Sequence, residues 1–253
     1  MPSLRQIIVA AIAAAVSLGA TRARGATDGS FGAPNAGWLD HGEKLVVRPF
    51  LRILPNVAGR HADWGVGVLV GLLEDAARDV HRLFPRAVTR VGDLSRRSGG
   101  VICHHHSHES GRDADVAFFY VDARGGDANV TGYLRVASVP RVSAGGLAFD
   151  DARNWQFVQS LITNPRARVM AIFVARWLRQ RLLRYGARVA SPGIVRRAAE
   201  VMLQPSDAPP HDDHFHVRIA CPPGMLDCID APVARRTLVQ HSIREAHRNS
   251  VMK

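Results

Sequence analysis

Much that would direct a reading elsewhere is missing from this 253-residue sequence. No Ser or Cys stands in a nucleophile motif, so nothing points to chemistry through a covalent acyl-enzyme. The apolar run near the start, Ile7 to Leu18, falls short of the ~20 residues that a membrane-spanning helix needs. The formal charge is +11, yet the arginines are scattered rather than gathered in a stripe and no nucleic-acid motif accompanies them, which speaks against the usual partner of a basic chain. There is no internal repeat. Cysteine is scarce, three in all, too few for a disulfide framework.

What is present narrows the reading further. A hydrophobic content of 47% is enough for a proper core, and one domain is favoured over two. Met1 to Gly25 reads as a signal peptide, because Arg5 precedes the short apolar run and Ala23-Arg24-Gly25 offers small residues for cleavage; an uncleaved anchor is the alternative. Cleavage would remove Arg5, Arg22 and Arg24 and no acid, lowering the charge from +11 to +8. A basic exported protein meets a polyanionic envelope, here the periplasmic side, more naturally than nucleic acid. Cys221 and Cys228 lie seven apart across Pro222-Pro223-Gly224 and suit a disulfide in an oxidising compartment. Cys103 is left over and reads as a buried apolar thiol rather than a reactive one.

Patterning gives an α+β class. Residues 26–50 form a lead-in; Ala26 to Gly42 is rich in Gly and Ala, has no apolar period and is expected to be loosely structured. One domain is expected over 51–230, with a basic tail over 231–253. Val66, Val70, Leu73, Ala77, Val80 and Phe84 recur at helical spacing from Trp64 to Phe84, and Pro85 stops that helix. Further helices are predicted at Ala152 to Ile162, Ala175 to Tyr185 and Pro192 to Leu203. Strands are predicted near Val88 to Val91, Val116 to Val121, Tyr133 to Ala137 and Val169 to Val174. Unevenly spaced strands with helices between them suit a mainly antiparallel sheet flanked by helices. Arg124 to Gly132 reads as a surface turn, and Trp155, at helical spacing, as core before cleft lining.

Two stretches carry chemistry. Ser107 to Asp115 supplies a His and a carboxylate, and His211-Asp212-Asp213-His214-Phe215-His216 supplies a His-x-His pair. A catalytic zinc takes three ligands of these types and keeps a fourth position open. His214 to Ile219 alternates polar with apolar residues as a half-buried strand does, so His214 and His216 share a face, roughly 6 to 7 Å apart. One is therefore expected to bind the metal and the other to handle protons. His211 follows Pro209-Pro210 in a turn from which it can reach the same pocket. Asp115 is expected at the start of the strand that follows Ser110-Gly111. His104-His105-His106, taken alone, reads as a run of solvated surface groups.

These residues carry a resemblance. Gly92-Asp93-Leu94-Ser95, Ser98-Gly99-Gly100, Ser107-His108 through Asp115, and His211 through Arg218 together resemble the penicillin-insensitive murein endopeptidases, over about Leu51 to Asp230. That family stands within the zinc peptidases that include lysostaphin-type enzymes, D-alanyl-D-alanine peptidases and the hedgehog signalling domain. The resemblance implies a hedgehog/D-Ala-D-Ala peptidase-like fold and Zn2+ held by His108, Asp115 and His216. It also puts His214 in the catalytic position, and makes His211 and His105 further pocket histidines. Asp113 and Asp213 are candidates to orient imidazoles through their other nitrogen, and Asp212 is expected to be surface charge. The implied activity is hydrolysis of peptidoglycan cross-links, indifferent to β-lactams because no serine is acylated. Three alternatives remain open: a D-alanyl-D-alanine carboxypeptidase with Arg112 as carboxylate clamp, a non-catalytic zinc-stabilised wall-binding or signalling domain, and a nucleic-acid binder.

Overall fold

The computed structural model describes residues 29–138, 146–205 and 208–231. The expected signal peptide and all but the first residue of the basic tail lie outside the described residues. In chain order come β1 (Gly29–Ala33), β2 (Ala36–Asp40), β3 (Glu43–Lys44), β4 (Leu51–Ile53), β5 (Trp64–Gly65), α1 (Gly67–Leu83), β6 (Thr89–Val91) and β7 (Asp113–Ala117). There follow β8 (Tyr120–Val121), β9 (Asp127–Ala128), β10 (Ala148–Phe149), α2 (Asp151–Thr163), β11 (Val169–Phe173), α3 (Arg176–Val189), α4 (Pro192–Val201), β12 (Met202–Leu203) and β13 (His214–Ile219).

A six-stranded sheet organises the molecule in the order β12-β11-β13-β7-β6-β4. The inner pairs β11–β13, β13–β7 and β7–β6 are antiparallel, and only the flanking pairs β11–β12 and β6–β4 are parallel. The α+β class with a mainly antiparallel sheet is therefore what the chain adopts. Each helix buries one stripe, as its apolar spacing dictates: α1 buries Leu69, Val70, Leu72, Leu73, Ala76, Ala77 and Val80. Asp150 caps α2 by accepting from the Ala152 and Arg153 amides, satisfying two of the donors a helix start leaves open. α2 then presents Phe157 to Phe215 of β13, with ring centroids 6.1 Å apart, and Trp155 is core.

Several expectations from patterning need correction. The Gly- and Ala-rich lead-in is not loose: β1 and β2 form a hairpin in register Phe31↔Trp38 and Ala33↔Ala36. Its small residues serve close packing, since a Cβ on Gly37 would fall 2.3 Å from the Phe31 carbonyl oxygen. Tyr133 to Ala137 is not a strand; its backbone is pinned instead by contacts from elsewhere, with Val136 N–H donating to Asp212 O (2.7 Å) and Trp177 Nε1–H to Val136 O (3.1 Å). Asp115 is the third residue of β7, not its start, because pairing with β13 extends the strand back to Asp113. Of the surface turn expected over Arg124 to Gly132, only the first part is a turn, closed by Asp122, whose carboxylate accepts from the Arg124 and Gly126 amides; Asp127 and Ala128 form β9 against β8. Cys221 and Cys228 form a disulfide, with Cα atoms 5.7 Å apart. Cys103 is exposed, not buried, because the chain around it runs through turns at the surface.

Candidate metal centre

The pairing of β13 with β7 assembles the site. In register, His216 faces Asp115, Arg218 faces Asp113 and His214 faces Ala117. Because alternate residues share a face, His214, His216, Arg218, Asp113 and Asp115 all point to one side of the two strands. The loop before β7 folds beneath them through left-handed turns at His108 and Gly111 (both φ 73°), and buries His108 completely.

Asp115 is the hub. His108 Nε2 lies 3.3 Å, His214 Nε2 3.4 Å and His216 Nδ1 3.6 Å from its Oδ1, while His105 Nδ1 lies 3.6 Å from its Oδ2. Each imidazole is oriented through its other nitrogen. His108 Nδ1 meets the Leu94 carbonyl at 2.6 Å, His216 Nε2 meets Asp113 at 2.7 Å, His214 Nδ1 meets Asp213 at 2.5 Å and His105 Nε2 meets Asp93 at 2.9 Å. This is the arrangement of imidazoles that ligate a metal, where the outer nitrogen donates to a carbonyl or carboxylate and the inner one keeps a lone pair for the ion.

Two atoms test whether a cation fits. His108 Nε2 and Asp115 Oδ1 are both buried and lack a hydrogen-bond partner. With Nδ1–H given to Leu94, the Nε2 of a neutral ring is an acceptor, and it faces another acceptor. Such a pair repels unless a proton or a metal ion stands between its members, and leaving both bare costs about 1–3 kcal/mol each. The donor set of imidazole nitrogen and carboxylate oxygen suits a borderline divalent ion. His105, His108 and Asp115 offer ligand atoms that all lie within 4.8 Å of one another.

The electrostatics follow from burial and neighbours. Burial opposes charge on Asp115, but His108 and then His214 outweigh it and hold its carboxyl well below the usual range. Burial likewise opposes charge on His214, and Asp115 together with Asp213 overcomes it, raising the imidazole to about 10. His211 goes the other way: burial, then the neighbouring His216 and His214, push it down to about 3. His211 is thus a neutral imidazole, with ring centroids 5.0 Å from His214 and 5.5 Å from His216, and burial pushes His216 down as well. Asp113, fully buried, binds His216 and Arg218 (2.6 Å) through the same oxygen, Oδ1.

The structure thus brings His105, His108, Asp115, His211, His214 and His216 together, with Asp113 and Asp213 behind them. His104 and His106 are the solvated members of their run, and His105 turns inward. Arg112 contradicts its expected role: it is fully buried, donating to Ser30 Oγ (2.9 Å), Ile229 O (2.7 Å) and Ile219 O (3.4 Å), and pairing with Asp230 (3.3 Å). It fastens the β1–β2 hairpin and the segment after the disulfide to β7, and reaches no substrate. Among the described residues the exposed arginine on the cleft is Arg135, 79% exposed and 3.8 Å from Asp212, while Arg218 lies buried at its base. The cleft itself has a volume of about 940 Å3 and is lined by His105, His211, His214 and His216 together with Asn35, Arg135, Phe173, Gln204 and Pro209, within the size range of a ligand site.

Sequence reasoning passed over Asp93 and Tyr133. Asp93 is buried, anchors His105 and takes Arg60 at 2.6 Å; it stands two residues past β6, within the Gly92 to Ser95 stretch that carries the resemblance, and that stretch was the available signal. Tyr133 packs its ring on His214 at 4.7 Å and places its hydroxyl against Gly92, where an added Cβ would fall 1.6 Å from the oxygen. Any side chain there would displace the Tyr133 ring from its place on His214. The description of penicillin-insensitive murein endopeptidases matches residues 57–238 of the chain. No curated protein matches it.

Proposed function

The chain belongs to the penicillin-insensitive murein endopeptidase family, and on that premise we propose that it is an exported zinc metallo-endopeptidase that hydrolyses the peptide cross-links of peptidoglycan. The observation that carries the reading is Asp115 ringed by imidazoles whose outer nitrogens are already committed. His108, Asp115 and His216 are the residues that would hold the zinc. His105 is the rival third ligand, but its inner nitrogen addresses Asp115 Oδ2, whereas His108 and His216 address the same oxygen, Oδ1. When bound, the ion supplies Lewis acidity for a peptide carbonyl and a lowered pKa for water.

The remaining chemistry belongs to side chains. His214, oriented by Asp213 and packed on Tyr133 and held as a cation by Asp115 and Asp213, can stabilise the oxyanion and hand a proton to the leaving amine. His211, kept neutral by burial beside it, completes the proton-handling pair. Asp113 fixes the ring of His216 and balances the buried Arg218. No serine or cysteine is acylated, so β-lactams have no target. Export is supported by the Cys221–Cys228 bridge, which suits an oxidising periplasm, and by the Arg5 and Ile7 to Leu18 pattern. Among the described residues no helix is long and apolar enough to cross a membrane. We assign residues 1–25 to the signal peptide, 51–230 to the peptidase domain and 231–253 to a basic tail.

The test is digestion of purified sacculi by mature protein. Cross-linked muropeptide dimers should become monomers, a chelator should stop this, added zinc should restore it, and penicillin should have no effect. His216→Ala should lose both metal and turnover, whereas His214→Ala should keep about one zinc per chain and lose turnover. Loss of metal from His214→Ala would overturn the division of roles. A second reading is favoured by Arg135, an exposed cation on the cleft wall: a carboxypeptidase would clamp a terminal carboxylate there. Cleavage confined to monomeric peptides with a free terminal D-alanine would select it.

A further inference from the structure

We propose that the β1–β2 hairpin is a docking platform for the glycan strand of peptidoglycan, built on the stacked pair Phe31 and Trp38. The proposal rests on the peptidoglycan reading for its choice of partner. Its geometry comes from the hairpin alone, which lies before the residues that the family description covers, 57–238.

Alternation along the two strands gives the hairpin two unlike faces. Ser30 and Leu39, paired in register, point inward and are buried. Phe31 and Trp38, the next pair in register, point outward, with ring centroids 5.0 Å apart and planes within 2° of parallel. Trp38 is 54% exposed. An indole held flat by a neighbouring ring has lost most of its rotational freedom before any partner arrives, so little ordering cost remains on binding. A large exposed aromatic with an apolar body and a polar edge is what interfaces use.

The platform is fixed to the catalytic body at every side. Arg112 donates to Ser30 Oγ, Gly32 N–H to Asp227 O (2.8 Å), Ile229 N–H to Gly32 O (3.0 Å), Leu39 N–H to Ser98 O (3.2 Å) and Glu109 N–H to Pro34 O (3.0 Å). It is also continuous with the cleft. Asn35, in the two-residue turn, lines the cleft that holds the histidines, and Trp38 stands three residues along the strand, about 10 Å away at the rise of extended chain. Between them lie only Ala36 and Gly37, a small, uncharged floor. A polymer whose peptides enter the cleft carries its sugars just outside it. The flat C–H faces of pyranose rings match an exposed indole; Arg96 and Arg97, exposed beside the Ser98-Gly99 segment that pairs with Trp38 and Leu39, make an anionic lipid surface the outcome that the experiment has to exclude.

The experiment compares zinc-loaded mature protein with Trp38→Ala and Trp38→Tyr on three probes: peptide-free glycan strands, intact sacculi and sugar-free cross-linked peptide dimers. Trp38→Ala should lose co-sedimentation with sacculi and protection by glycan strands and should solubilise sacculi about five- to ten-fold more slowly, the worth of one aromatic contact. Its rate on sugar-free dimers and its zinc content should not change, and Trp38→Tyr should restore part of the glycan binding. Equal loss on sacculi and on sugar-free dimers, or no loss on either, would overturn the platform. So would binding of wild-type protein through Trp38 to anionic vesicles without affinity for glycan strands. If wild-type protein cuts neither substrate yet binds glycan strands through Trp38, the peptidase reading fails and the platform stands.

Discussion

The two faces of the β7–β13 pair are made by the same ten or so residues and could hardly differ more. On one side stand Asp113, Asp115, His214, His216 and Arg218; on the other stand Ala114, Val116, Phe215, Val217 and Ile219. The apolar face is removed from water, whereas the polar face borders the cleft and His214 stays partly open to it. The apolar face is held by packing that has no preferred direction: Phe215 meets Phe118 at 4.7 Å and Phe157 of α2 at 6.1 Å, and burial itself supplies the stability. The polar face is held only because each charge has a partner at a set angle, and removal of one partner leaves another bare. A sheet that is rigid from behind can therefore carry a group of side chains that would repel one another without the right ion. The apolar face supplies the stability and the polar face the chemistry.

The contrast is broken most severely at its polar centre. Asp115→Ala removes the one carboxylate that four imidazoles address, and is expected to abolish zinc retention and to lower turnover by at least about a thousand-fold, the usual effect of losing a group central to the reaction. Metal analysis after dialysis and a sacculus assay read the two effects. Zinc retained at wild-type stoichiometry would refute Asp115 as a ligand.

The matching change on the apolar face should do the opposite. Phe215→Ala opens a cavity between the sheet and α2 and should cost about 3–5 kcal/mol, seen as a fall in the urea midpoint with zinc content near one per folded chain at low temperature. Loss of zinc from protein that remains folded would mean that the two faces are not separable. Between these extremes lies Asp113→Asn, which weakens the anchor of His216 and leaves the buried Arg218 without its counter-charge. Zinc affinity should drop about 10- to 100-fold, measured by competition with a chromogenic chelator, and an unchanged affinity would reduce Asp113 to a purely structural partner of Arg218.

The same two faces explain what was legible in the sequence. The alternation in His214 to Ile219 announced the strand, its parity and the shared face of the two histidines. Its partner was read only from Asp115 on, because Asp113 has the residue type of a loop; the first two residues of that strand exist through long-range pairing with β13, which no local window contains. Helices were found within a few residues of their bounds since their burial repeats along the chain. Arg112 was misread for a related reason. Its charge is visible in the sequence, but the carbonyls of Ile219 and Ile229 that enclose it come from more than a hundred residues away. Tyr133 suffered likewise: its segment has strand-like residues, and only the contacts with Asp212 and Trp177 make it a wall of the cleft.

The smallest expected effect concerns an acid placed at the margin of the apolar side. Asp75 of α1 bonds Arg166 and Asn164, just beyond the end of α2, at 3.0 and 3.2 Å. Partial burial works against its charge, and Arg166 and Asn164 more than compensate, so its carboxyl lies below the ordinary carboxylate range. A carboxyl with a depressed folded pKa contributes stability that is present above its unfolded pKa and lost as the pH falls through the folded value. Both partners remain partly open to water, with side-chain exposures of 24% and 46%, so solvent and salt screen the pair and its contribution should not exceed about 1 kcal/mol. Asp75→Asn should accordingly lower the urea midpoint slightly at pH 7. The difference from wild type should vanish in acid once the native carboxyl is itself protonated, and should shrink in high salt. A loss as large as that of Phe215→Ala, or one that persists unchanged in acid, would show that the clasp between α1 and the end of α2 works through packing and not through charge.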